Sequence, residues 1–199
     1  LGGGAAPARC PADELTRADA DALRETVGFL ARQGEATITL AGDGTPRGRA
    51  AAAVVRDTAA EHGVVVRTPA RAAGALLVVS GWTAADATLR QVATGGLAVG
   101  DRYLAPWLFA GSLPLVAAGS SVPQRFGPAD PLASHYRAEL ADDAPGVWPS
   151  AAGYQAWLTG SGERDPGALH IQLVDAPSAR ADVWTTGSVT AVGGPIDLP

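Results

Sequence analysis

Two tryptophans, Trp82 and Trp107, each follow an apolar run that reads as a buried strand. An indole offers a broad apolar face and one N–H donor, so the pair could wall an apolar pocket. Two hydroxyls accompany them: Thr45 in the turn Gly42-Asp-Gly-Thr-Pro-Arg-Gly48, and Ser80 in Val79-Ser-Gly-Trp82. Hydroxyls bond the polar groups of a ligand. Thr45, Ser80, Trp82 and Trp107 therefore have the composition of a small-molecule site, apolar walls with a few polar anchors. Either indole could equally fill the core, and Trp148, Trp157 and Trp184 are expected to do so.

Other residue types with chemical potential lack the required spacing. The Gly-rich turn cannot be a Walker phosphate loop, because that loop needs a Lys and the chain has none. Gly42, Gly44 and Gly48 also miss the spacing of the dinucleotide fingerprint. A capped helix start explains the turn, and its free N–H groups could still face a polar ligand group. His62, His135 and His170 lie far apart, without partners at metal-ligand spacing, and are expected on the surface. Asp142-Asp143 reads as a solvated pair at a helix end, and Ser161 as part of a polar loop over 159–166. No Gly-x-Ser-x-Gly elbow occurs. The expectation is a protein that is not an enzyme and that needs no cofactor or metal. The single Cys10 excludes an internal disulfide and a cysteine metal cage. Arg9 stands where lipidation of Cys10 would need a small residue.

The elements that must position these residues are legible from periodicity and caps. Thr16 can cap a helix that carries Ala20, Leu23, Val27 and Leu30 on one face and stops at Gly34. Residues 36–40 form a strand. Thr45 caps the next helix, and Pro46 suits its first turn because the missing N–H would be unpaired there. That helix ends near His62 and Gly63. Residues 64–66 form a further strand. The strand–turn–helix pattern then recurs: 75–79 is an apolar run buried on both faces, Thr83 or Thr88 opens a helix, and Gly95-Gly96 ends it. The connection 67–74 is short for a parallel crossover, so either its helix is lost or 64–66 lies at an irregular edge. Residues 102–105 form a strand leading into Pro106-Trp107. Farther on, 120–126 reads as an extended crossing segment, 130–140 and 148–158 as helices, and 169–174 and 183–192 as strands. Apolar runs in place of alternation predict a mainly parallel sheet in a three-layer α/β/α sandwich. Such sheets bind ligands beyond the carboxyl ends of their strands, where Thr45, Ser80, Trp82 and Trp107 fall.

These residues resemble a family, the type I periplasmic binding proteins, above all the branched-chain amino-acid (Leu/Ile/Val) receptors of ABC transporters. Residues 21–66 are similar to the start of that family's second lobe, where a Tyr-Gly-x-Gly-like turn leads into a long helix. Here the turn is Thr45-Pro-Arg-Gly48, with Thr45 at the aromatic position. Val79-Ser-Gly-Trp82, Leu89-Arg-Gln91, Gly95-Gly-Leu97 and Tyr103-Leu-Ala-Pro-Trp107 follow in the family's order. Ser121-Val-Pro-Gln-Arg-Phe126, Asp130-Pro131 and the helix through Tyr136 resemble the return toward the first lobe, and 148–158 resembles a helix of that lobe. The chain departs from the family in three places. Most of the first lobe, which usually holds the ligand's ammonium and carboxylate, has no counterpart. The helix between Val66 and Ala75 is missing. Trp107 replaces an acidic residue often found after the third strand. The resemblance implies one lobe of an extracytoplasmic solute-binding receptor for an amino acid or related small molecule, acting with a membrane transporter or a second copy. A structural or interaction module that keeps the fold without the ligand is the alternative.

Composition sets the remaining bounds. With 199 residues, the chain is long enough for a core without disulfide or metal staples. A net charge of −5 and scattered arginines give no footprint for nucleic acid. Residues 1–12 read as a flexible lead-in and 13–199 as a single domain. The absence of Met predicts a mature or excised part of a longer product, with any signal segment upstream. The joint absence of Lys, Asn and Met fits the codon bias of a GC-rich genome.

Overall fold

A computed structural model describes residues 14–108, 119–124, 131–145, 151–162, 170–173 and 190–191. Cys10, the 1–12 lead-in, Trp148 and Trp184 lie outside the described residues. The described strands form one sheet in the order β2-β1-β3-β4-β5-β6-β7. Strands β1 (Thr37–Ala41), β2 (Val65–Arg67), β3 (Ala75–Val78), β4 (Arg102–Leu104) and β5 (Ser120–Gln124) pair in parallel. Strands β6 (His170–Leu173) and β7 (Thr190–Ala191) add antiparallel to that edge. The expected strand over 183–192 is described only in its Thr190–Ala191 portion.

The helices follow from their caps and apolar faces. Helix α1 (Arg17–Arg32) starts at Thr16, whose side chain accepts from the Asp19 N–H, and buries Ala20, Leu23, Val27 and Leu30. Helix α2 (Pro46–Glu61) starts at Thr45, whose side chain accepts from the Gly48 N–H, with Pro46 in its first turn. It buries the small residues Ala51, Ala52 and Ala59 with Val55, and it packs along α1. Helix α3 (Trp82–Ala93) buries Ala85 and Leu89. The β1–α2–β2 and β3–α3–β4 units step across the sheet in opposite directions, and right-handed crossovers then put α2 and α3 on opposite faces. Ile38, Leu76, Leu77, Val78 and Leu104 are completely buried between those layers, and Leu40 nearly so. This is the expected α/β sandwich with a mainly parallel sheet.

The short connection after β2 has a specific explanation. Arg67 pairs level with Thr39, and Ala75 pairs level with Ile38. The chain crosses β1 but descends by only about one residue, ~3.3 Å, so it needs no helix. A 3-10 turn, Pro69–Arg71, makes the crossing. The buried Thr39 pins it: its Oγ1 donates to the Ala73 carbonyl and accepts from the Ala73 N–H, both at 2.8 Å. Gly74, at φ +64, closes the turn where a Cβ would lie 2.0 Å from the Thr37 carbonyl oxygen. β2 is an edge strand, and its Val65 is 49% exposed.

Two expectations need correction here. α3 opens at Trp82 with Gly81 as its N-cap, and not at Thr83 or Thr88. A carboxylate from elsewhere in the chain binds the Gly81 N–H and fixes the helix start without a threonine cap. Ser161 is the last residue of helix α5 (Ala151–Ser161), where its hydroxyl bonds the Leu158 carbonyl, so the expected loop begins later. α5 packs on helix α4 (Pro131–Asp143) through Tyr136, Tyr154 and Trp157. His62 and His135 are exposed, and His135 pairs with Glu139 one turn on at 3.0 Å, a spacing the sequence contained.

Candidate functional site

The candidate site lies at the boundary between β1 and β3. From β1 the chain steps one way across the sheet and from β3 the other way. This is a topological switch point, and the loops leaving the carboxyl ends of the two strands open a crevice there. The loop after β1 carries Gly42–Thr45, and the loop after β3 carries Ser80 and Gly81. The 3-10 turn Pro106–Leu108 after β4 places Trp107 beside them.

Asp43, which sequence reasoning passed over, joins these loops. Its Oδ1 accepts from the Thr45 N–H at 3.0 Å and from the Thr45 hydroxyl at 2.5 Å. Its Oδ2 accepts from the Gly81 N–H at 2.7 Å, across 38 residues of sequence. The carboxylate is so close to α2 that a Cβ on Gly48 would meet its Oδ1 at 2.2 Å, so a side chain there would push Asp43 out of place. Burial works against its charge, but the hydrogen bonds from Gly81 and Thr45 and the field of Arg47 outweigh it and hold its pKa below the ordinary carboxylate value.

Trp107 is fixed on two sides. Its indole Nε1–H donates to the Ser80 carbonyl at 2.9 Å. Over its ring lies the Arg47 guanidinium, 4.9 Å from the centroid, in cation–π geometry. Arg47 occupies the first turn of α2, which has no acidic residue of its own. Its charge also acts on Asp19 in the first turn of α1.

The structure thus brings Thr45, Ser80 and Trp107 together, through Asp43 and Arg47. Trp82 follows Gly81 directly, but its half-buried indole packs against the core cluster. Among the described residues it makes no ring contact with Trp107. The Ser80 hydroxyl is buried and donates to the Gly81 carbonyl at 3.1 Å. The hydroxyl protons of Thr45 and Ser80 and the Trp107 N–H are therefore all engaged within the rim. Sequence signals for the two missed residues existed. An Asp two residues before a Thr-Pro helix start is an Asx-turn pattern. An Arg in the first turn opposes the helix dipole, so something outside the helix must hold it.

No protein-family model matches the sequence, and comparison with curated proteins gives no match. Solved structures do match. A branched-chain amino acid ABC transporter periplasmic ligand-binding protein from Burkholderia xenovorans superposes with a TM-score of 0.62 at 14% identity, over 88% of this chain and 63% of its own. A branched-chain amino acid ABC transporter protein from Thermus thermophilus, solved with bound valine, gives 0.59 at 15% identity, over 88% and 64%. An ABC transporter substrate-binding protein from Desulfitobacterium hafniense, in complex with Leu, gives 0.53 at 18% identity, over 74% and 50%. The chain spans between half and two thirds of the length of these structures. It shares their fold, as its sequence resemblance to the branched-chain amino-acid receptors implies.

Proposed function

On the premise of a fold shared with periplasmic amino-acid-binding proteins, we propose that this chain is one ligand-binding lobe of an extracytoplasmic solute receptor. Its ligand is an amino acid or a related small molecule, and it works with a membrane transporter or a second copy of itself. The observation that supports the reading is the switch point between β1 and β3; the residues proposed to line it are Thr45, Ser80, Trp82 and Trp107. Trp82 and Trp107 supply apolar walls, and Thr45 and Ser80 polar edges. A single lobe buries less of a small ligand than a closed two-lobed cleft, so weak binding is expected from the chain alone.

A second reading is favoured by one observation. The rim donors are satisfied by the chain's own acceptors. A lobe that has lost its ligand and serves as an interaction module would keep such a network. Tryptophan fluorescence during titration with branched-chain amino acids and small amides separates the two. The receptor reading expects a saturable change that Trp82→Ala or Trp107→Ala weakens. A ligand bound with equal affinity by both variants would remove these residues from the site, and a flat response to every compound would favour the interaction module.

A further inference from the structure

We propose that Arg47 is the specificity-determining residue of this rim and that it selects ligands carrying a carboxylate. The inference rests on the receptor reading and names the ligand group that this lobe grips. Arg47 is half-buried in the first turn of α2, beside the switch-point loops. Its guanidinium carbon lies over the Trp107 ring, 4.9 Å from the centroid. Trp107 cannot turn away, because its Nε1–H is bonded to the Ser80 carbonyl. The guanidinium is thus held by cation–π attraction to the ring, which leaves its N–H edges to other partners.

Among the described residues those edges make no hydrogen bond and no ion pair. Asp43 and Asp19 feel the charge of Arg47, but neither forms a salt bridge with it. Asp43 is committed to Thr45 and Gly81, and Asp19 to the Thr16 cap. Neighbouring Arg49 differs: it donates to the Gly44 carbonyl and folds back on the loop. A guanidinium held over an indole, with no described partner for its donor fork, suits bidentate contact with a carboxylate. Its location opposes a purely structural role, since a cation at a helix N-terminus is disfavoured by the dipole. Asp43, the carboxylate of the loop after β1, already accepts three hydrogen bonds, so among the described residues the rim has little left for an ammonium group.

The test uses three probes of one shape: L-leucine, 4-methylpentanoate, which lacks the amine, and L-leucinamide, which lacks the carboxylate. Each is titrated into the whole chain and into Arg47→Met, with tryptophan fluorescence and calorimetry as readouts. Leucine and 4-methylpentanoate are expected to bind at least about tenfold more tightly than leucinamide. Arg47→Met is expected to abolish that preference while its melting temperature stays equal or rises, since a cation leaves a helix N-terminus. Equal binding of leucinamide, or a preference that survives in Arg47→Met, overturns the proposal and leaves the receptor reading intact. Failure of all three probes to bind the unaltered chain overturns both.

Discussion

At the scale of single residues, Asp43 governs the rim. One carboxylate accepts from a backbone N–H and a hydroxyl of its own loop and from a backbone N–H of the loop beyond β3. Hydrogen bonds to a charged acceptor are the stronger kind, and this one is part-exposed, so Asp43→Ala should cost about 1–2 kcal/mol. The pH dependence has a defined sign. The folded pKa of Asp43 lies below its ordinary value of 3.8. Its stabilisation is therefore complete above that value and is lost as pH falls through the lower, folded one. Asp19 runs the other way, because burial raises its pKa and stability falls as it ionises. The difference in unfolding free energy between the native chain and Asp43→Ala isolates Asp43. Urea unfolding should find it constant above about pH 5 and shrinking below about pH 4. A difference that grows on acidification would contradict this assignment.

At the scale of elements, the crossing after β2 is the unusual feature. A parallel connection normally returns along the full length of a strand, but the stagger of β2 and β3 on β1 removes that need. What remains is to hold an exposed segment over β1, and the Thr39 hydroxyl does this with both backbone groups of Ala73. Thr39→Val keeps the shape and removes the two bonds. Because Ala73 is exposed, water can replace them, so the loss should be about 1 kcal/mol. The change should be local. Amide exchange is expected to quicken at Ala73 and its neighbours in the crossing, while Leu77 and Val78 keep their protection. Unchanged exchange at Ala73 would mean that Thr39 does not pin the segment.

At the scale of the whole molecule, the sheet centre holds the fold. β3 lies between β1 and β4, and all four of its residues are buried. Helices on both faces leave no room for polar side chains, which is why β3 reads as an unbroken apolar run. Leu76→Ala removes a fully buried side chain and leaves a cavity, so thermal or urea unfolding should record a loss of about 2–5 kcal/mol. A loss well under 1 kcal/mol would mean that the centre collapses around the gap or that β3 is not central. The same rigid centre fixes the carboxyl ends of β1 and β3, and therefore the spacing of the rim loops above them.

The sequence by itself determined the succession of helices and strands and the residues that face the core. Those properties are local: an amphipathic period in α1, the Thr16 and Thr45 caps, Pro46 in a first turn, and apolar runs at β1 and β3. The sequence also contained Thr45, Ser80 and Trp107 as residues past strand ends, which strand direction alone turns into neighbours. Their mutual chemistry was decided by the tertiary structure. That Asp43 reaches Gly81, that Arg47 sits over Trp107, and that Thr39 holds Ala73 depend on strand order and register. The start of α3 follows the same logic, since its Gly81 N-cap bonds a carboxylate from the loop after β1 where a threonine cap was expected. Hydrogen bonds and ring contacts act over a few ångströms, and only folding brings residues that lie dozens of positions apart within that range.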